Sequence, residues 1–246
     1  MRICIDGGHN YSGYDTGVVN ANGVREQDIT FDIAFWLKNV LVDNGHEVIL
    51  TRTYKEENLG TSVDSSLQER VNISNKNNCD FFISIHCNSG PSSATGTEVL
   101  IAGRGGKAEE YATKVCDAIC RRLDMTNRGV RVDTEYLKKR LCVLHNTNCP
   151  AILVEAGFLT NIKDAIKLTG TTREFSEAIA TAFGSGGGNM SKFSDVIGHW
   201  AEKHIEKLAE YGIVNGFEDG QFKPDEPVTR AQASVMIANV LSILGK

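Results

Sequence analysis

Two rhythms of apolar residues alternate along the first three quarters of the chain. Short, nearly unbroken apolar runs at residues 2–6 (RICID), 47–51 (EVILT), 80–86 (DFFISIH), 97–102 (TEVLIA) and 151–155 (AILVE) read as strands. Between them the apolar positions recur at helical spacing. Ile29, Ile33, Leu37, Val40 and Leu41 predict a helix over 28–43, closed by Asn44-Gly45. Further helices are expected near 67–75, 107–123, 163–168 and 173–183. Residues 124–150 read as a long loop. Strands interleaved with helices predict an α/β fold: a mainly parallel twisted sheet flanked by helices on both faces.

The rhythm changes after residue 183. Gly184-Ser185-Gly186-Gly187-Gly188-Asn189 has the composition of a flexible linker. It separates a domain over 1–183, with a linker over 184–191, from a small helical module over 192–246. In that module a helix is expected over about 200–211, with Ile205, Leu208 and Ala209 on one face and Gly212 as its stop. Another is expected over 229–244. Thr229 and Gln232 have capping-box spacing, and Val235, Met236, Ala238, Val240 and Leu241 supply apolar surface.

Composition narrows the function classes. The 246 residues are 41% apolar and 23% charged, as expected of a folded globular protein. Lys and Arg number 26 against 31 Asp and Glu, and no basic block appears, which argues against a nucleic-acid partner. No apolar run is long enough to span a membrane. The opening MRICIDGGHN runs straight into a strand pattern without a signal-peptide core, so synthesis without export is expected. Seven cysteines, Cys4, Cys79, Cys87, Cys116, Cys120, Cys142 and Cys149, form no CxxC pair. They read as reduced thiols, mostly small buried hydrophobes, in a protein folded in a cytoplasm.

Chemistry gathers at the strand ends. His9 follows the first strand, His86 closes DFFISIH, and Glu155 closes AILVE; Glu26 precedes the 28–43 helix. Parallel strands would bring all four to the carboxyl edge of one sheet, where α/β proteins place their sites. Two imidazoles and a carboxylate suit one catalytic zinc ion, and a second carboxylate could move protons. His46 and His145 read as ordinary surface groups. Cys87 competes as a ligand or nucleophile, but strand neighbours point to opposite faces, so it and His86 should not share a site.

The set Asp6-Gly7-Gly8-His9, Glu26, Leu67 to Arg70, Ser84-Ile85-His86-Cys87-Asn88 and Val154-Glu155-Ala156-Gly157-Phe158-Leu159-Thr160-Asn161 resembles the zinc-dependent N-acetylmuramoyl-L-alanine amidases. The resemblance spans about residues 1–183. It implies that His9, Glu26 and His86 hold zinc and that Glu155 is the catalytic carboxylate. It also implies cleavage of the amide between N-acetylmuramic acid and L-alanine in peptidoglycan. A zinc peptidoglycan peptidase and a non-catalytic wall-binding protein are the alternatives.

The C-terminal module, with FSDV, HWA and YGIVNGFEDGQFKPDEPVTRAQA, resembles one S-layer homology repeat. This implies binding to a secondary cell-wall polymer, with Asp195, Trp200 and Arg230 as contact candidates. A module this small is near the limit of independent stability, which suggests self-association into a homo-oligomer. Met190, just after the glycines, suggests a second translation start giving a free module. The whole reads as a phage or prophage endolysin, made in the host cytoplasm and reaching the wall after release.

Overall fold

The computed structural model describes residues 1–184, 193–196, 199–217 and 219–243. The chain forms two compact units, Met1–Gly186 and Gly187–Lys246. The linker residues 185–191, Met190 among them, lie outside the described residues.

Six strands make one sheet: β1 (Arg2–Gly7), β2 (Glu47–Leu50), β3 (Phe81–Asn88), β4 (Thr97–Ile101), β5 (Asn127–Val132) and β6 (Ala151–Phe158). Their spatial order is β2-β1-β3-β6-β4-β5. The first four in that order run parallel; β4 turns antiparallel to β6, and β5 runs parallel to β4. The sheet is therefore mixed and mostly parallel, within an α/β fold.

The first unit also holds α1 (Glu26–Asp43), α2 (Val63–Lys76), α3 (Gly106–Leu123), α4 (Asp133–Tyr136), α5 (Cys142–His145), α6 (Ile162–Gly170) and α7 (Thr172–Thr181). Strand alternation splits the core in two. Ile3, Ile5, Ile83, Ile85, Val99 and Val154 face Ile33, Leu37, Val115, Ile119, Phe175 and Ile179 of α1, α3 and α7. Cys4, Phe82, Leu100 and Leu153 point the other way, towards Val71 of α2 and Val143 and Leu144 of α5. Continuing that second set by twos gives Asp6, Ser84, His86, Glu98 and Glu155 one shared face.

Local chemistry sets several boundaries. Helix α1 ends where Gly45 takes φ 80°, a left-handed turn that glycine adopts at little cost. Helix α2 starts at Val63, earlier than the apolar pattern implied, because Ser62 and Ser65 form a reciprocal cap. The expected long loop over 124–150 instead holds β5, α4 and α5. Strand β5 (NRGVRV) is a partly exposed edge strand with a glycine and two arginines, and so lacks an apolar signature.

All seven cysteines are free thiols. Among the described residues no helix is long and apolar enough to cross a membrane. His46 and His145 are not surface groups. His46 is buried with Nε2 3.1 Å from the Gly184 carbonyl, and His145 Nε2 lies 2.9 Å from the fully buried Asp133 carboxylate.

The second unit contains a short 3-10 turn (Ser194–Val196), α8 (Glu202–Glu210) and α9 (Arg230–Ile243) around Phe193, Val196, Ile205, Ala209 and Val214. Thr229 and Gln232 form the expected box: Gln232 Oε1 accepts from the Thr229 N–H, and Thr229 Oγ1 from the Gln232 N–H.

Candidate metal centre

The carboxyl ends of β1, β3 and β6 adjoin, and the loop after β1 folds back over them. Gly8 N–H donates to the Ile85 carbonyl at 2.9 Å, and Thr30 Oγ1 donates to the Gly8 carbonyl at 2.8 Å. His9 then takes φ 68°, an unusual backbone for a residue with a side chain, and its ring turns toward β3. Glu26 enters from α1, anchored by its N–H to the Val18 carbonyl at 2.8 Å.

Three side chains converge. His9 Nε2 and His86 Nδ1 are 3.1 Å apart, and each lies 3.2 Å from Glu26 Oε1. Ligands of a tetrahedral ion at about 2.1 Å sit roughly 3.4 Å from one another, so this spacing fits a zinc-sized ion. The other Glu26 oxygen accepts the Val18 N–H at 3.0 Å, and Oε1 also accepts the Cys87 N–H at 2.9 Å. His9 Nδ1 lies 3.3 Å from the Asp15 carbonyl and 3.5 Å from its carboxylate, partners that orient the ring.

Backbone must come unusually close here. A Cβ on Gly17 would stand 2.7 Å from Glu26 Cβ and 2.8 Å from His9 Cδ2; one on Gly8 would stand 2.4 Å from His86 Nε2. Only glycine fits at either position.

The local field favours a cation. Burial opposes a charge on His9, but hydrogen bonds with Asp15 and Glu26 outweigh it and push its pKa up to about 10. Burial likewise opposes the Glu26 carboxylate, yet His86 and His9 hold it well below the usual range. A site whose groups attract protons this way would attract a metal ion in their place. His9, Glu26 and His86 therefore fit a zinc ion by donor set, spacing and field.

Glu155 lies on β6 opposite His86 of β3 in register. Its Oε2 is buried with no hydrogen-bond partner among the described residues. Burial, with the Glu26 and Glu98 carboxylates adding, pushes its pKa up to about 8. A carboxylate so desolvated is a stronger base than one in water. Cys87 faces the opposite core, where burial raises its thiol pKa well above the ordinary value, so it shares no pocket with His86.

Sequence reasoning passed over Asp15 and two buried polar networks. Asp6 accepts from Arg70 at 2.5 Å, Thr51 at 2.6 Å and Ser84 at 2.7 Å, beneath the His9 loop. Glu98 accepts from Asn88 at 2.7 Å and Arg128 at 2.9 Å. A carboxylate inside the apolar run TEVLI was the available signal for Glu98, the same signal that marked Glu155.

In the second unit both Asp195 oxygens accept backbone N–H groups, from Phe222 at 2.9 Å and Lys223 at 2.7 Å. Trp200 is 85% exposed, and Arg230 is exposed at the start of α9.

Residues 3–185 match the N-acetylmuramoyl-L-alanine amidase family, and residues 192–234 the S-layer homology domain. The N-acetylmuramoyl-L-alanine amidase CwlM of Bacillus licheniformis is 33% identical over 189 residues, covering 76% of this chain and 67% of that protein. The N-acetylmuramoyl-L-alanine amidase structure from Clostridium difficile 630 is 28% identical, covering 74% of this chain and 94% of that one, with TM-score 0.64. The catalytic domain of the CD27L endolysin targeting Clostridia difficile is 25% identical, covering 74% of this chain and 96% of that one, with TM-score 0.63.

Proposed function

The chain belongs to the N-acetylmuramoyl-L-alanine amidase family and is a peptidoglycan amidase with a cell-wall-binding S-layer homology domain, and from that premise we propose a zinc-dependent endolysin. His9, Glu26 and His86 hold the ion. When bound, zinc supplies a Lewis acid and makes water nucleophilic near neutral pH. Glu155 takes the proton from the attacking water as it reaches the lactyl carbonyl. The same carboxyl then delivers that proton to the departing alanine nitrogen, leaving a free amine. The observation that carries this reading is the converging His9–Glu26–His86 set beside a buried Glu155 oxygen that has no hydrogen-bond partner among the described residues.

The seven free thiols support folding in a reducing compartment, and the resemblance to an endolysin catalytic domain supports action from within a lysing host. The C-terminal unit holds the enzyme to a secondary wall polymer through Trp200 and Arg230, with Asp195 fixing the backbone of Phe222 and Lys223. Exposed Val235, Ile237, Val240 and Leu241 on α9 favour self-association of that unit into a homo-oligomer. A shorter product from Met190 would join such an assembly. Light scattering would give its mass, and a mass spectrum with a single species unchanged by recoding Met190 would remove the shorter product.

Mass analysis of fragments from purified peptidoglycan tests the reaction. Release of stem peptides with free L-alanine amino groups and no new reducing ends is expected. Fragments that retain the muramoyl–alanine bond would overturn it, and full activity in excess chelator would overturn the zinc dependence.

A further inference from the structure

The pairing of β4 with β5 slips by one residue: Thr97 stands opposite Asn127, but Glu98 stands opposite Gly129. Arg128 is the extra residue. A bulge of this kind bends the strand and re-aims its side chain. Here it brings the arginine to the face shared by Glu98 and Glu155, and Gly129, at φ 81°, makes the turn possible.

The re-aimed guanidinium is held from several sides. Arg128 Nε donates to Glu98 Oε2 at 2.9 Å, its Cζ lies 4.9 Å from the centre of the Phe158 ring, and Nη2 is 3.4 Å from the Tyr136 hydroxyl. Arg131 lies on the same face, its Cζ 5.2 Å from the centre of the Tyr136 ring. Its Nε is buried without a hydrogen-bond partner among the described residues. Tyr136 is 41% exposed and the Arg128 side chain 27% exposed, so the pair reaches solvent. Glu98, which holds Arg128, is the direct cross-strand neighbour of Glu155.

We propose that Arg128 and Arg131, gathered on Tyr136, form a carboxylate receptor for the stem peptide of the substrate. The inference rests on the amidase reading above. Arg128 gives one donor to Glu98 and one to the Tyr136 hydroxyl, and its remaining Nη donors, beside the guanidinium of Arg131, keep the planar fork that recognises a carboxylate. One strand, β4, lies between this receptor on β5 and Glu155 on β6, a gap of two strand spacings. That is about 10 Å between backbones, shortened by the reach of Arg128 back toward Glu98. A peptide leaving from Glu155 through its alanine nitrogen would carry its next acidic group across this span. In peptidoglycan that group is the α-carboxylate of the γ-linked glutamate following L-alanine. The receptor thus distinguishes a free glutamate carboxylate from its carboxamide.

Two muramoyl dipeptides that differ only in this group, acid and carboxamide, supply the test with the full-length protein. Hydrolysis of the muramoyl–alanine bond in either one reports on the amidase reading alone. The receptor is read from calorimetric affinities of the two corresponding free dipeptides, which need no turnover. The wild type should bind the acid about tenfold tighter than the carboxamide, as expected for a lost charge-assisted contact. Arg131→Ala and Arg128→Lys should each bring that ratio toward one, with circular dichroism confirming the fold. Equal affinities in the wild type, or a preference that survives in both variants, would overturn the proposal.

Discussion

Glu98 and Glu155 stand directly opposite one another on adjoining antiparallel strands, and they are treated differently by the fold. Glu98 accepts from Asn88 and Arg128, whereas one Glu155 oxygen is buried with no partner among the described residues. A buried carboxylate without a partner costs stability, and such cost is tolerated where the group acts. Burial, with the Glu26 and Glu98 carboxylates adding, raises the pKa of Glu155 to about 8.

Glu155→Gln should remove the proton carrier while leaving the fold and metal site in place. Hydrolysis is expected to fall about a hundredfold or more, the usual range for a lost acid–base group. Metal content by elemental analysis should match the wild type. Near wild-type turnover in this variant would reassign the proton transfer to another group.

Gly17→Ala tests the metal centre without touching a ligand. The added methyl would meet Glu26 and His9 side-chain atoms at 2.7 to 2.8 Å, so those ligands must shift. Gly17 needs no left-handed backbone, so the fold should survive. Zinc affinity is expected to drop on the order of ten- to a hundredfold, as for disturbed supporting contacts. Competition against a chelating dye would measure it, and unchanged affinity would mean that the three side chains do not share an ion.

The Asp6–Arg70 pair predicts an acid limit. Burial raises the cost of ionising Asp6, but Arg70, Thr51 and Ser84 outweigh it and hold its pKa down to about 2. A folded value below the unfolded one means stability is present above about pH 4 and is lost as pH falls through about 2. Its share is roughly 2 kcal/mol. Asp6→Asn should flatten the fall in unfolding free energy over this window. It should also cost about 3–5 kcal/mol near neutral pH, because Arg70 would stay buried beside a weaker partner. Denaturant melts at pH 7, 3.5 and 2.5 would report both effects.

What could be read from the chain depended on whether a residue's role was written locally. Strands β1, β3 and β6 are buried on both faces, so RICID, DFFISIH and AILVE declare themselves. His9, His86 and Glu155 stand out because they follow or close those runs, and Glu26 because it precedes the 28–43 helix. Strand β5 left no such trace: its outer edge is met partly by Arg104, which donates to the Val130 carbonyl, and its key residue is aimed by a bulge. Arg128 looks like a surface arginine until the slipped register is known. The antiparallel turn of β4 against β6, which sets Glu98 beside Glu155, is a tertiary choice that no local pattern records.

The C-terminal unit separates a structural residue from an exposed one. Asp195 ties the turn after Ser194 to the backbone of Phe222 and Lys223, so Asp195→Ala should lower the unit's melting temperature and weaken wall binding as a consequence. Trp200 is 85% exposed and contributes little to the Phe193–Val214 core, so Trp200→Ala should leave that melting temperature nearly unchanged. If the indole contacts wall polymer, cosedimentation of Trp200→Ala with purified cell walls should nonetheless drop severalfold. Arg230→Ala should act in the same direction and more weakly at high salt, where its charge is screened. Full cosedimentation of both variants, with only Asp195→Ala impaired, would place the binding surface elsewhere on this unit and leave Asp195 as its scaffold alone.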